Sequence, residues 1–233
     1  MKNFNEILTE GVYDKGIFKA FFLAGGPGSG KTFVTRGAFS GTGLKVVNSD
    51  TIFERALKKS GLSLKMPDYE EYFRNLVRAK AKITMGSTLD LYMQGRLGVI
   101  VDATGRDFSV IDRQKRMLDL VGYDTYMIFV NTSLDVALER NKNRPRTIPE
   151  YIVTDSWNKV QRNIGQFQRA FSPSNFLVVD NNKSEKELIT ITLNTAAKWI
   201  RRKLVTKPSN YLAKAWIQKE LELKKRKWDL KIL

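Results

Sequence analysis

The sequence predicts an α/β fold, a five-stranded parallel sheet flanked by helices, and three observations predict it. Five apolar runs of strand length alternate with stretches of helical periodicity, at about Ile17–Leu23, Leu44–Asn48, Val99–Val101, Tyr126–Val130 and Phe176–Asp180. The runs read as continuously apolar, as strands buried on both faces do. Between the first run and the next helical stretch lies Gly25-Gly26-Pro27-Gly28-Ser29-Gly30-Lys31-Thr32, which fits G-x-x-x-x-G-K-[ST] without a mismatch. Finally, the polar residues Asp50, Asp102 and Asn131 fall at the carboxyl ends of runs two, three and four, where such sheets bind ligands.

Each element has its own signal. Met1–Lys15 is a polar lead-in with a candidate short helix at Asn3–Leu8. Thr32–Phe39 continues the glycine-rich loop as a helix, and Gly41-Thr42-Gly43 marks the following turn. A helix is expected over Thr51–Ser60, with Gly61 as its stop. Pro67-Asp68 opens a long helical stretch to about Gln94, Asp68 being a candidate cap. Tyr72, Phe73, Leu76 and Ile83 share one face of it, and Arg74, Arg78 and Lys82 line another. That basic row reads either as a phosphate-holding face or as a solvated one. Helices follow over Asp107–Leu120, from a Ser133 cap to about Asn141, over Glu150–Phe171 and over Ser184–Leu204, with Pro208 as punctuation.

The boundaries expected are a domain at 1–207, with a lid at about 141–149, and a basic helical tail at 208–233. On a helical wheel the tail carries two opposed apolar stripes, Leu212, Trp216, Leu223, Leu230 and Ile217, Leu221, Trp228, Ile232. The stripes suit a helix held between its own domain and a partner; packing wholly on its own domain is the competing reading.

Composition narrows the chemistry. The 233 residues include no cysteine and no histidine. Disulfides, thiolate metal sites and thiol nucleophiles are excluded, and any general base must be a carboxylate, lysine, tyrosine or water. No apolar run reaches membrane-spanning length and Met1–Glu10 carry no signal-peptide pattern, so a cytoplasmic protein is expected. The formal net charge is +16, and residues 198–233 carry 12 Lys/Arg against 3 Asp/Glu. The excess suits a polyanionic partner such as nucleic acid, or an enzyme that handles phosphates and is merely basic.

The loop motif is a phosphate cradle. Glycines let successive N–H groups turn inward onto anionic oxygens, and the helix that follows adds its own unpaired N–H groups. Gly25 to Gly30 supply the cradle, Lys31 reaches the outer phosphates, and the Thr32 hydroxyl is a magnesium ligand. ATP and Mg2+ are the expected cofactors. Asp50 is placed to accept the proton of an attacking hydroxyl, though Asn48-Ser49-Asp50 also offers three good helix caps. Asp102 is placed to hold the metal directly or through water; a turn aspartate is the competing reading. Arg140, Arg144 and Arg146 are spaced to close over phosphates as a lid, against a solvated basic turn.

These segments together resemble the phage polynucleotide 5′-kinase and zeta-toxin group of P-loop kinases: the phosphate loop, Asn48-Ser49-Asp50 after the second strand, Val99 to Thr104 at the third, and the basic segment from Arg140 to Pro149. The likeness covers roughly Phe18 to Asp180. It implies a kinase-type P-loop NTPase fold, ATP, magnesium, a catalytic aspartate at Asp50 and lid arginines at Arg140, Arg144 and Arg146. One position departs from the group, which commonly carries an arginine three residues after the catalytic aspartate; here that residue is Phe53. The activity so implied is transfer of the ATP γ-phosphate to a nucleic-acid 5′-hydroxyl or a nucleotide-like small molecule, in the host cytoplasm if the chain is phage-encoded. The alternative is a nucleotide-binding assembly protein that self-associates or docks to a partner protein through its tail and turns over little.

Overall fold

The computed structural model describes residues 11–65, 67–143, 147–182 and 186–232. Strands β1 (Lys19–Ala24), β2 (Lys45–Asn48), β3 (Val99–Asp102), β4 (Asp124–Asn131) and β5 (Phe176–Asp180) form one sheet in the order β2-β3-β1-β4-β5. Every pairing is parallel. The helices among the described residues are α1 (Lys31–Ala38), α2 (Ser49–Lys59), α3 (Glu71–Gln94), α4 (Phe108–Leu120), α5 (Leu134–Lys142), α6 (Glu150–Phe171), α7 (Lys186–Val205) and α8 (Tyr211–Ile232).

Strand alternation sorts the core into two layers. Ala20, Phe22, Val99, Val101, Met127 and Phe129 face Leu89 of α3, Ile111 and Leu118 of α4, and Val160, Phe167 and Phe171 of α6. Phe21, Leu23, Ile100, Ile128 and Val130 face Val34 and Ala38 of α1 and Ala196 and Ile200 of α7. Both faces are therefore covered, and β1, flanked by β3 and β4, is the most deeply buried strand. A separate small cluster, Phe53, Leu57 and Ala81 with Val77 against it, joins α2 to α3.

Two local expectations are corrected, and one face is assigned to solvent. Asp68 caps no helix: Asp68–Glu70 form a 3₁₀ turn, and Glu70 precedes α3 without a side-chain capping bond. The Tyr72, Phe73, Leu76 and Ile83 face of α3 is exposed, because α3 turns smaller residues such as Ala81 inward, with Leu89. The first strand starts at Lys19 rather than Ile17, because Phe18 has φ 54 and cannot continue an extended strand. The helix expected at Asn3–Leu8 lies outside the described residues.

At the amino end of the sheet, Lys19 and Asp124 stand in register and form an ion pair of 2.8 Å, 1% and 9% exposed. Asp124 also accepts from the Ser209 N–H at 2.9 Å, the Ser209 hydroxyl at 2.7 Å and the Asn210 N–H at 3.2 Å. This anchors the start of α8, whose Ala213, Trp216 and Ile217 join the core. The packed face thus draws Trp216 from one expected stripe and Ile217 from the other. Leu212, Leu221 and Leu223 are exposed. The side chains of Trp228, Leu230 and Ile232 are not among those described.

Candidate active site

The glycine-rich loop leaves β1 at its carboxyl end and runs into α1. Its glycines are required by space as well as by backbone. A Cβ on Gly25 would lie 2.7 Å from the Val130 carbonyl oxygen, and one on Gly28 would collide with the Ala137 backbone. Gly28 and Gly30 also hold φ 79 and φ 87, in the left-handed region. Gly30 precedes α1 without a side-chain cap, and the first turn of α1 carries no acidic residue. Its N–H groups therefore meet no built-in anion, as a phosphate site requires. Lys31 folds its ammonium onto the carbonyl oxygens of Gly25 and Gly26, and Thr32 is exposed in the same turn.

Asp50 and Asp102 meet beside this loop because β2 and β3 are parallel and in register, Asn48 opposite Asp102. Asn48 is the pivot. Its side-chain N–H donates to the Asp102 carboxylate. Its side-chain oxygen accepts the N–H of Asp50 at 2.7 Å and of Thr51 at 3.1 Å, capping α2. Capping thus falls to Asn48, and Asp50 stands half-buried in the first turn. Asp102 is 8% exposed. Burial pushes its carboxyl above the ordinary range, the Lys31 charge and the Asn48 hydrogen bond pull it back, and the Asp50 charge raises it further. Lys31, Asp50 and Asp102 are therefore one electrostatic cluster. No group of three or more acidic side chains that could hold a metal occurs among the described residues. A Thr32 hydroxyl with one carboxylate suits magnesium, which takes few protein ligands and completes its shell with water and phosphate oxygens.

The opposite wall comes from α5 and α6. Arg140 approaches Gly30: a Cβ there would lie 3.7 Å from its Nη1. Nη1 of Arg140 and the Ser29 hydroxyl are buried without a hydrogen-bond partner. Two buried donors with nothing to donate to, at a loop of inward-turned backbone, fit a polyphosphate that completes both. Asn141 closes the base of the expected lid, donating to the Ile148 carbonyl at 2.7 Å and accepting the Ile148 N–H at 3.1 Å. Arg144 and Arg146 lie outside the described residues.

Sequence reading missed the braces behind the loop. Asn181, just beyond β5, donates its side-chain N–H to the Ser29 carbonyl at 2.7 Å, and its own N–H goes to the Asn131 carbonyl at 2.9 Å. Trp157 donates its indole N–H to Thr132 at 2.7 Å and packs beside Gly26; Gln161 donates to the Asn131 side chain at 3.0 Å. The available signal was Asn181-Asn182 at the carboxyl end of the last strand, the position that had singled out Asp50, Asp102 and Asn131.

Residues 21–167 match the AAA domain family. The chain belongs to that family. Among solved structures it is similar to a putative kinase from Chloroflexus aurantiacus, at 19% identity over 80% of this chain and 96% of that one, with a TM-score of 0.53. It is also similar to shikimate kinase from Bacteroides thetaiotaomicron, at 11% identity over 78% of this chain and 98% of that one, TM-score 0.51. A third likeness is to AvrRxo1-ORF1:-ORF2 with ATP, at 15% identity over 75% of this chain and 58% of that one, TM-score 0.56. No curated protein matches the sequence. The fold of this AAA-family chain is that of P-loop kinases. No helix among the described residues is long and apolar enough to cross a membrane.

Proposed function

We propose that the chain is a magnesium-dependent ATP phosphotransferase acting on a hydroxyl acceptor, either a nucleic-acid 5′-hydroxyl or a nucleotide-like small molecule. The observation that carries this reading is the pair of unpartnered buried donors, Ser29 Oγ and Arg140 Nη1, at a glycine cradle that also presents Lys31. The likeness to kinases, one related structure having been solved with ATP, supports the donor.

The loop N–H groups, Lys31 and Arg140 bind the triphosphate. Thr32 and Asp102 would hold magnesium, which when bound offsets phosphate charge. Asp50 accepts the proton of the acceptor hydroxyl as its oxygen bonds to the γ-phosphorus and the bond to the β-phosphate oxygen breaks, releasing ADP; Asp50 then returns the proton to water. Arg140 stabilises the charge that spreads over the transferring group, with Arg144 and Arg146 proposed to join it.

The alternative, a docking protein with little turnover, draws support from the exposed Tyr69, Tyr72, Phe73 and Leu76 around the start of α3. Incubation with γ-labelled ATP, magnesium and a panel of 5′-hydroxyl DNA, 5′-hydroxyl RNA, nucleosides and nucleotide sugars decides. Label on an acceptor, lost about 10²–10⁴-fold in Asp50→Asn, is the expected result for a general base. Tight ATP binding with no labelled acceptor favours docking.

A further inference from the structure

The glycine cradle is set from outside the loop. Asn181, just beyond β5, donates its side-chain N–H to the Ser29 carbonyl at 2.7 Å, a buried bond that spans 152 residues of sequence. Its own backbone is fixed on the other side. The Asn181 N–H goes to the Asn131 carbonyl at 2.9 Å, and the Asn181 carbonyl accepts the Thr132 hydroxyl at 3.2 Å. The side chain is buried and so held against the loop by the end of the sheet.

Peptide planarity gives that bond its consequence. The Ser29–Gly30 peptide is trans, as are all peptide bonds among the described residues. A trans peptide directs its C=O and its N–H to opposite sides. With the Ser29 oxygen drawn to Asn181, the Gly30 N–H is turned away from Asn181. That N–H has no hydrogen-bond acceptor among the described residues. It stands immediately before α1, next to Lys31. If the peptide flipped, the carbonyl oxygen would take its place and repel an anion. The glycine belongs to the same arrangement. Its φ of 87 is left-handed, and a Cβ there would collide with the Asn181 side-chain nitrogen.

Resting on the polyphosphate-binding part of the reading above, and not on phosphoryl transfer, we propose that Asn181 is a positioning residue for the nucleotide: by holding the Ser29 carbonyl outward it directs the Gly30 N–H onto a phosphate oxygen. An amide suits the task. It meets the carbonyl as a donor and brings no charge toward the phosphates. A carboxylate of the same shape has acceptors only and pushes the carbonyl back.

The test uses the full chain and two probes, ATP and inorganic triphosphate, each with magnesium, measured by calorimetry. The second carries phosphates without a base. Asn181→Leu keeps the bulk and removes the donor. Affinity is expected to fall about 10–100-fold, the worth of one hydrogen bond to a charged group, and by the same factor for both probes. In Asn181→Asp it falls further on both. A loss confined to ATP puts Asn181 against the base and overturns the assignment, as does unchanged affinity for both probes. The wild-type amide spectrum separates positioning from a merely structural role, and decides alone if melting curves show that the variants do not fold. Adding inorganic triphosphate should move the Gly30 amide proton downfield, as a charge-assisted hydrogen bond does. A Gly30 resonance that stays in place while the probe binds overturns the assignment and leaves the phosphate loop standing. If the wild-type chain binds neither probe, the polyphosphate reading fails and the assignment with it.

Discussion

Asn48 holds Asp102 by a side-chain hydrogen bond while its other side-chain atom caps the helix that carries Asp50. One amide thereby sets the spacing between the two carboxylates of the site, and α2 cannot shift without disturbing Asp102. Asn48→Ala removes the cap, costing about 0.5–2 kcal/mol of stability. It also releases Asp102. The expected result is a lower denaturation midpoint together with a higher magnesium requirement, measured by titrating metal against turnover. Asn48→Asp keeps the cap and places a like charge beside Asp102, so it should restore the midpoint and worsen the metal response.

Lys31→Ala should leave the fold intact and abolish productive ATP binding. The ammonium lies on the loop's own carbonyl oxygens and takes no part in the core clusters. Calorimetry showing the same ATP affinity in variant and parent would remove the phosphate-loop assignment.

The Lys19–Asp124 pair predicts a pH dependence of stability. Burial alone would raise the Asp124 carboxyl, but hydrogen bonds from Lys19 and Ser209 and the Lys19 charge hold it below the ordinary carboxylate range. Burial lowers Lys19, with Asp124 opposing. Because the folded-state value for Asp124 lies below the unfolded value of about 3.9, its contribution is complete above about pH 4 and is lost as pH falls through the folded value. Asp124→Asn should flatten that acid limb. It should also cost about 3–5 kcal/mol at neutral pH, because Lys19 is left buried without its partner. Denaturant melts of both proteins at several pH values between neutral and acid read both effects; parallel curves would show that the pair does not contribute.

Deleting residues 210–233 should lower the melting temperature. The deletion uncovers Phe18, whose ring meets Trp216 edge-on at 5.7 Å, and frees Arg96, whose guanidinium lies 4.3 Å from the Trp216 centroid. Trp216→Ala alone should cost about 2 kcal/mol, since burial of a large apolar side chain contributes about 1.5–3 kcal/mol. Unchanged melting with altered light scattering would instead make the segment a docking element.

Much of this was legible before folding. The phosphate loop sits where its strand and helix flanks required, and Asp50 and Asp102 follow the carboxyl ends of their parallel strands as expected; that β2 and β3 are neighbours, which brings the two together, was not legible in the sequence. Residues whose role depends on a distant partner were not legible. Asp124 and Thr125 belong to β4, yet an apolar-run reading begins that strand at Tyr126, because nothing local announces that Lys19 will neutralise Asp124. Apolar periodicity placed Tyr72, Phe73, Leu76 and Ile83 on one face of α3 but carried no sign of which face is buried: these large side chains face outward while Ala81 packs inward. Asn181 escaped because an amide that braces a loop looks like any polar residue after a strand.

The pairing of Lys19 with Asp124 joins positions 105 residues apart. It therefore bears on when the sheet can form as well as on how firmly it stands. β1 needs both β3 and β4 beside it, and Phe18 needs Trp216, so little of its surface can be covered by neighbours in sequence. Such non-local closure slows folding. A chain interrupted before Asp124 would present the most apolar strand of the sheet with one edge unpaired, a template for aggregation. Productive expression should accordingly depend on temperature and chaperone supply, and fragments ending within α4 should be recovered insoluble.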